Sequence, residues 1–253
     1  MKERIDVLLV NRGLAPSREK AQAFLMAGTV TVDGKSETKA GHKVDTDSEI
    51  RIAQDPVPYV SRGGLKLEAA LDRWEIKLEG SVCVDIGAST GGFTDLMLGR
   101  GAARVYAIDV GYGQLDYKLR NDSRVINMEK TNIRLLDTET FPEKADFVSI
   151  DVSFISLKLV LPVAAKLLSG VSSMIVCLVK PQFEAERAQV GKGGIVRDPE
   201  VHRLVLEKVR VYAAMSGLNV IDELESPIKG TKGNKEFLML LKPERYAAER
   251  QVL

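Results

Sequence analysis

The densest chemical signal in the chain is Val82-Cys83-Val84-Asp85-Ile86-Gly87-Ala88-Ser89-Thr90-Gly91-Gly92-Phe93-Thr94. An apolar run ends in a carboxylate, small residues follow, and a helix-compatible stretch begins. Beyond the first strand of a doubly wound sheet, such a loop lets a ligand come up against the backbone. Two phosphate-binding readings fail on spacing. Gly-Lys-Ser/Thr after Gly and four residues is absent, and Gly87 is followed by three residues before Gly91-Gly92 rather than by Gly-x-Gly-x-x-Gly. Asp85 suits the cationic end of a ligand better than a pyrophosphate, and the ammonium and sulfonium of S-adenosylmethionine are such an end. At the close of the next strand, Asp109-Val110-Gly111 offers a carboxylate that takes both hydroxyls of a ribose, in NAD and S-adenosylmethionine alike. Glu129, after the third strand, stands near the expected adenine pocket. The expected cofactor set is thus Asp85, Gly87, Ala88, Ser89, Thr90, Gly91, Gly92, Phe93, Asp109, Val110 and Glu129.

The residues at the other strand ends bear on the methyl acceptor. Base amino groups call for Asn/Asp-Pro-Pro-aromatic after the fourth strand, whereas Asp151-Val152-Ser153-Phe154 lacks the prolines. Methylation of a pyrimidine ring carbon needs a thiolate, and Cys83 and Cys177 lie inside apolar strands with no proline before either. A sugar hydroxyl is a weak acid, so its transfer needs an in-line oxygen and a base to draw off the proton. Lysines and carboxylates suited to that work are Lys66 in Ser-Arg-Gly-Gly-Leu-Lys-Leu, Asp151, Lys180 in Val-Lys-Pro-Gln-Phe, and Glu236 in Gly-Asn-Lys-Glu-Phe. Asp151 and Lys180 end apolar strands and should emerge at the carboxyl rim beside the glycine loop. Taken singly, Lys66 also reads as a helix-surface lysine and Glu236 as the start of a strand.

The elements that must position these residues follow from periodicity. From residue 60, β-type runs (82–86, 105–109, 125–127, 147–150, 174–179) alternate with helical stretches (65–74, 93–98, 157–168, 199–215), the pattern of a mainly parallel sheet covered on both faces. The segments 218–224 and 236–241 have no helix between them and predict an antiparallel hairpin at one sheet edge. The first 58 residues form a separate α+β unit: an amphipathic stretch near 4–10, Ser17 as N-cap of a helix to Met26, Thr29–Val32 with the Asp33-Gly34 turn, and Glu49–Ile52. The segment 54–59, with Pro56 and Pro58, reads as a stiff linker. Two domains result, 1–58 and 59–253. The glycine-rich stretch 189–194 reads equally as a mobile lid or an ordinary loop.

Composition narrows the classes. The 253 residues carry 36 Lys+Arg against 35 Asp+Glu, with 45% hydrophobic residues, as in ordinary globular chains. The longest apolar stretches, 174–179 and 159–165, fall far short of the roughly 18–20 residues of a membrane span, and no signal peptide is visible, so a cytoplasmic protein without a membrane partner is expected. Two cysteines and two histidines exclude a disulfide framework and speak against a metal site. Residues 1–43 hold eight Lys/Arg against five Asp/Glu and residues 44–58 one against four, compatible with one basic face.

In order along nearly the whole chain, Ser-Arg-Gly-Gly-Leu-Lys-Leu, Asp-Ile-Gly-Ala-Ser-Thr-Gly-Gly-Phe-Thr, Asp-Val-Gly-Tyr-Gly-Gln-Leu, Asp-Val-Ser-Phe-Ile-Ser, Val-Lys-Pro-Gln-Phe-Glu and Gly-Asn-Lys-Glu-Phe resemble the TlyA (haemolysin A) family. The resemblance implies ribosomal RNA 2′-O-methyltransferases with an FtsJ-like, Rossmann-like catalytic domain, using S-adenosylmethionine on cytidine. It implies a Lys-Asp-Lys-Glu catalytic tetrad at Lys66, Asp151, Lys180 and Glu236. On that basis Lys180 takes the hydroxyl proton, Asp151 and Glu236 orient it and hold its charge, and Lys66 positions the hydroxyl. Residues 1–58 similarly resemble a small RNA-binding domain first named for a ribosomal protein. RNA phosphates are then expected against Arg4, Arg12, Arg18 and Lys20 and the loop lysines Lys229, Lys232 and Lys235, with ribosomal RNA or ribosomal subunits as partner. The rival readings are a non-catalytic RNA-binding or ribosome-assembly factor, a pore-forming haemolysin as the older family name implies, and a nicotinamide oxidoreductase, which the glycine spacing disfavours.

Overall fold

The computed structural model describes residues 2–26, 28–52 and 58–244; residues 54–57 of the expected linker lie outside them. The chain divides into two compact units, residues 1–58 and 59–253.

The first unit runs β1 (Lys2–Arg4), α1 (Ile5–Asn11), α2 (Arg18–Met26), β2 (Val30–Val32), β3 (Lys35–Ser36), β4 (Lys43–Asp45) and β5 (Ile50–Ile52). Strands β3-β2-β5 form one antiparallel sheet, and β1 pairs with β4. Ser17 caps α2 as expected, its Oγ accepting from the Lys20 amide at 3.2 Å. Ile5, Leu8 and Leu9 of α1 meet Ala21 and Leu25 of α2 and Val30 of β2 in a small core. Beneath it lies Asp6, a buried carboxylate that accepts from Arg4 at 3.0 Å, Arg18 at 3.0 Å and Gln22 at 3.1 Å. The Arg4 guanidinium beside it, with help from Gln22 and Arg18, outweighs burial and holds the Asp6 carboxyl far below the usual carboxylate range.

The second unit contains α3 (Gly63–Arg73), β6 (Val82–Ile86), α4 (Gly92–Gly99), β7 (Arg104–Ile108), α5 (Tyr117–Arg120), β8 (Val125–Met128), β9 (Phe147–Ile150), α6 (Leu157–Leu167), β10 (Met174–Val179), α7 (Pro181–Glu184), α8 (Pro199–Met215), β11 (Leu218–Glu225) and β12 (Phe237–Pro243). Seven strands form one sheet in the order β11-β12-β10-β9-β6-β7-β8. The five strands from β8 to β10 are parallel, and β12 runs antiparallel to both of its neighbours. The expected hairpin is present, but its second strand is the inner one: β12 lies between β10 and β11. Central strands are buried on both faces, which explains their unbroken apolar character. One face packs on α6 and α8 through residues such as Val84, Val148, Ile150, Leu161 and Val205. The other packs on α3 and α4 through Cys83, Phe147, Leu67, Leu96 and Met97. Connections leave β6 toward β7 on one side and return to β9 on the other, so the strand order reverses between β6 and β9, where such sheets bind ligands. No helix among the described residues is long and apolar enough to cross a membrane.

Candidate active site

Side-chain alternation along three neighbouring strands brings the candidate residues to one face. On β9, Phe147 and Ser149 point toward α3 and α4, and Asp151 continues that alternation; on β10, Val176 and Leu178 lead to Lys180. On β12, Leu240 and Leu238 lead back to Glu236, and because Val179 pairs with Phe237, Glu236 falls beside Lys180. Lys66 lies on the buried face of α3 with Leu67, Ala70 and Leu71.

The four residues form two ion pairs. Lys180 Nζ lies 2.6 Å from Asp151 Oδ1 and donates to Ser153 Oγ at 2.9 Å. Lys66 Nζ donates to Glu236 Oε2 at 2.6 Å, with both side chains buried. The partner assignment differs from the expectation that Glu236 orients Lys180. The Glu236 carboxylate is taken by Lys66, because α3 covers the start of β12. Gly230 permits this arrangement: a Cβ there would stand 1.8 Å from Glu236 Oε1.

A cavity of 420 Å³ opens at the carboxyl ends of β6, β7 and β9. Gly87, Ser89, Asp109, Val110, Asp151 and Ser153 are among its walls. Gly87, at φ +86°, passes so close to the Asp151 carbonyl that a Cβ would sit 2.5 Å from its oxygen. Asp109 Oδ2 accepts from the Ser89 amide at 2.8 Å and Oδ1 from the Gly111 amide at 2.7 Å, which fixes the carboxylate at the wall with lone pairs to spare.

Several expected cofactor residues have other tasks. Asp85 is fully buried beneath the loop, accepting from Thr94 Oγ1 at 2.7 Å and Ser149 Oγ at 3.0 Å, and burial pushes its carboxyl up to about 6. It ties β6 to α4 and β9 rather than reaching the cavity. Ala88 and Phe93 are packed into the core, Gly91 and Gly92 are buried at the start of α4, and the Thr90 carbonyl accepts from the Asp116 amide at 3.1 Å. Glu129 pairs with Arg120 and accepts from the Gln114 amide at 3.1 Å, bracing the 111–115 loop. Burial raises the Glu129 carboxyl, but the backbone amides around it and Arg120 bring it below its usual value.

The sequence did not single out three features beside the site. Ser153 completes the surroundings of Lys180. Glu184, buried, accepts from Ser156 Oγ and the Leu157 amide, both at 2.7 Å, joining the loop after β9 to α7; burial pushes its carboxyl up. Phe154 is 91% exposed at φ +63°, at the cavity wall, with its ring centroid 5.0 Å from that of Phe183. The apolar exposure and strained backbone of Phe154 had no local signal, since an aromatic after a strand reads as core. The 189–194 stretch is tied down: Asn234 Nδ2 donates to the Gly194 carbonyl at 2.9 Å, Asn234 Oδ1 accepts from the Val196 amide at 3.0 Å, and Gly191 bridges Ile195.

Residues 59–242 match the model of the FtsJ-like methyltransferase family, and residues 3–50 match the S4 domain. The chain belongs to the FtsJ-like methyltransferase family. Within that family it is 50% identical, over 95% of its length and 85% of the relative's, to a candidate rRNA methyltransferase, YqxC, of Bacillus subtilis. It is 43% identical, over 95% of its length and 90% of the relative's, to the 16S/23S rRNA (cytidine-2′-O)-methyltransferase TlyA of Mycobacterium tuberculosis. A solved structure of a hemolysin candidate from Streptococcus thermophilus superposes with a TM-score of 0.77 at 48% identity, covering 96% of this chain and 89% of that one. As an FtsJ-like methyltransferase the chain uses S-adenosylmethionine, and the cavity fits it: Asp109 presents a carboxylate with spare lone pairs at the wall, Ile86, Ile108 and Ile133 give it apolar surface, and 420 Å³ lies in the range of small-molecule sites.

Some of the expected RNA-binding cations have partners within the protein. Arg4 and Arg18 pair with Asp6 while remaining about half exposed, and Arg12 donates to the carbonyls of Thr46 and Ser48. Lys20 stands 5.6 Å above the Phe24 ring. On the loop before β12, Lys235 pairs with Glu225 at 3.0 Å, whereas Lys229 and Lys232 are exposed.

Proposed function

We propose that this protein transfers a methyl group from S-adenosylmethionine to the ribose 2′-oxygen of cytidine in ribosomal RNA, within a ribosomal subunit in the cytoplasm. The observation that carries this reading is the pair of lysine–carboxylate contacts, Lys180–Asp151 with its carboxylate in the cavity wall, and Lys66–Glu236 at the neighbouring strand. A sugar hydroxyl needs a base and a fixed orientation, and these groups supply both. The cofactor supplies an electrophilic methyl on a sulfonium, held by Asp109 and the backbone around Gly87 and Ser89. Lys180 accepts the hydroxyl proton, and Asp151 holds the resulting charge. Lys66, steadied by Glu236, donates to the hydroxyl oxygen and orients it.

Thiolate chemistry on a pyrimidine ring has no support in either cysteine. Cys83 and Cys177 are buried and unpaired, and burial pushes both thiols up to about 12. The S4 domain and the exposed Lys229 and Lys232 support the phosphate contacts, with Arg4, Arg12, Arg18 and Lys20 lending charge at the surface of the first unit.

The reading is tested with tritiated S-adenosylmethionine and purified 30S and 50S subunits lacking the modification, followed by mapping of the labelled nucleotide. Label on a cytidine 2′-oxygen is expected. Cofactor binding with no label on any RNA would overturn the reading in favour of a non-catalytic RNA-binding factor.

A further inference from the structure

Lys180 is held by two partners of different kinds, an ion pair with Asp151 and a hydrogen bond to Ser153. Its Nζ lies 2.6 Å from Asp151 Oδ1 and 2.9 Å from Ser153 Oγ, and both partners line the cavity. The Lys180 side chain is 11% exposed, so little of it faces anything else. To take a proton, the Lys180 amine must present a lone pair, with its two N–H bonds in other tetrahedral directions. The Asp151 ion pair draws the head group in but does not fix its rotation, since Asp151 Oδ1 makes no hydrogen bond with it. The hydrogen bond to Ser153 Oγ fixes one N–H, and with Asp151 on another side it leaves the lone pair directed away from both.

We infer that Ser153 is a positioning residue that aims the Lys180 lone pair at the substrate hydroxyl by accepting one N–H. The inference rests on the reading of Lys180 as proton acceptor and deepens it. In the transfer, the O2′–carbon bond forms as the sulfur–carbon bond breaks with its electron pair going to sulfur. The hydroxyl proton passes to Nζ, which becomes an ammonium with its third N–H where the lone pair was. The hydrogen bond to Ser153 and the contact with Asp151 are both kept by the ammonium, so the lysine does not reorganise as the charge appears.

The loop that carries Ser153 is fixed at both ends. The Asp151 amide donates to the Ile86 carbonyl at 2.9 Å, tying the loop to the strand that begins the glycine turn. Ser156 Oγ and the Leu157 amide both donate to the buried Glu184, on the segment that follows Lys180. The lysine and its hydroxyl partner are therefore carried by two strand ends latched to each other. Ser153 itself is exposed and holds up no core, so its hydroxyl can be removed without unfolding the unit.

The experiment measures single-turnover methyl transfer by Ser153→Ala, Ser153→Thr and Lys180→Met in the full chain, with unmodified subunits and labelled S-adenosylmethionine. Misaiming a catalytic group by a fraction of an ångström costs about 10- to 100-fold, and that loss is expected for Ser153→Ala, with KM for cofactor and RNA changed less than about twofold. Ser153→Thr keeps the hydroxyl and should return to within about threefold of the parent. A Ser153→Ala enzyme with full turnover, a defect confined to KM, or a Thr variant as impaired as the Ala variant would each overturn the inference. Lys180→Met separates the two readings: turnover retained there sinks the role of Lys180, whereas an inactive Lys180→Met beside a fully active Ser153→Ala sinks only that of Ser153.

Discussion

Asp85 and Asp109 show how one residue type, at the ends of adjacent parallel strands, does two different jobs. Asp109 is half-buried and satisfied by backbone amides, so it can serve a ligand. Asp85 has no access to solvent and is satisfied by two hydroxyls, so it serves the fold. Burial raises the Asp85 carboxyl to about 6, against about 3.9 in an unfolded chain. The folded state therefore binds an extra proton between those values, and stability from this group is greatest below about pH 4, falls as pH rises toward 6, and is level above. The full fall is roughly 2–3 kcal/mol, from about 1.4 kcal/mol per unit. An Asp85→Asn variant keeps two hydrogen-bonding atoms and has no such proton, so it should gain stability relative to the parent as pH rises through this window. Melting curves of both proteins from pH 4 to 7 check this; parallel profiles would contradict it.

Among the elements, the turn before β12 carries the most chemistry for its length. It brings Glu236 to Lys66, and Asn234 on the same turn binds the 194–196 backbone through both atoms of its amide. At Gly230 a methyl would meet the Glu236 carboxylate, the movable end of that side chain. Gly230→Ala should displace that carboxylate, release Lys66 and lower turnover about tenfold or more, since catalytic groups lose that much from small misplacements. Cofactor affinity should be unchanged, because Gly230 is not part of the cavity wall. Calorimetric titration with S-adenosylmethionine beside the methyl-transfer assay reads both effects, and undiminished turnover would show that the ion pair does not depend on the turn. The loop after β9 is built similarly, with Glu184 satisfying the first amide of α6 from a neighbouring segment, in the way an N-cap does.

At the scale of the molecule, a net charge of +1 gives no general attraction to RNA, so the cations must act locally. Lys229 and Lys232 are exposed on the turn before β12, while Arg4, Arg12, Arg18 and Lys235 already have acceptors. Each phosphate contact made by a lysine contributes about one unit to the slope of log affinity against log salt. Replacing both Lys229 and Lys232 by Ala should reduce that slope by about 1.5 to 2 and weaken binding to all RNA sequences alike. Affinity measured between low and moderate salt gives the slope, and an unchanged slope would remove these lysines from the interface.

Local sequence is enough to specify the alternation of strands and helices, the mainly parallel sheet and its antiparallel hairpin. These are local: apolar runs, turn residues and capping groups act over a few positions. It also determined which residue types could act on a hydroxyl, because Asp151 and Lys180 close apolar strands. Which carboxylate meets which lysine was set by long-range packing. The insertion of β12 between β10 and β11 placed Glu236 next to Lys180 in the sheet, and the packing of α3 then gave its carboxylate to Lys66 instead. Burial, likewise, separated Asp85 from the cavity that its position in the glycine loop suggested. Ser153, Glu184 and Phe154 stood in plain view within recognisable motifs. Their contacts join segments up to 29 residues apart, and no periodicity or spacing encodes a contact between two strand ends until the sheet has brought them together.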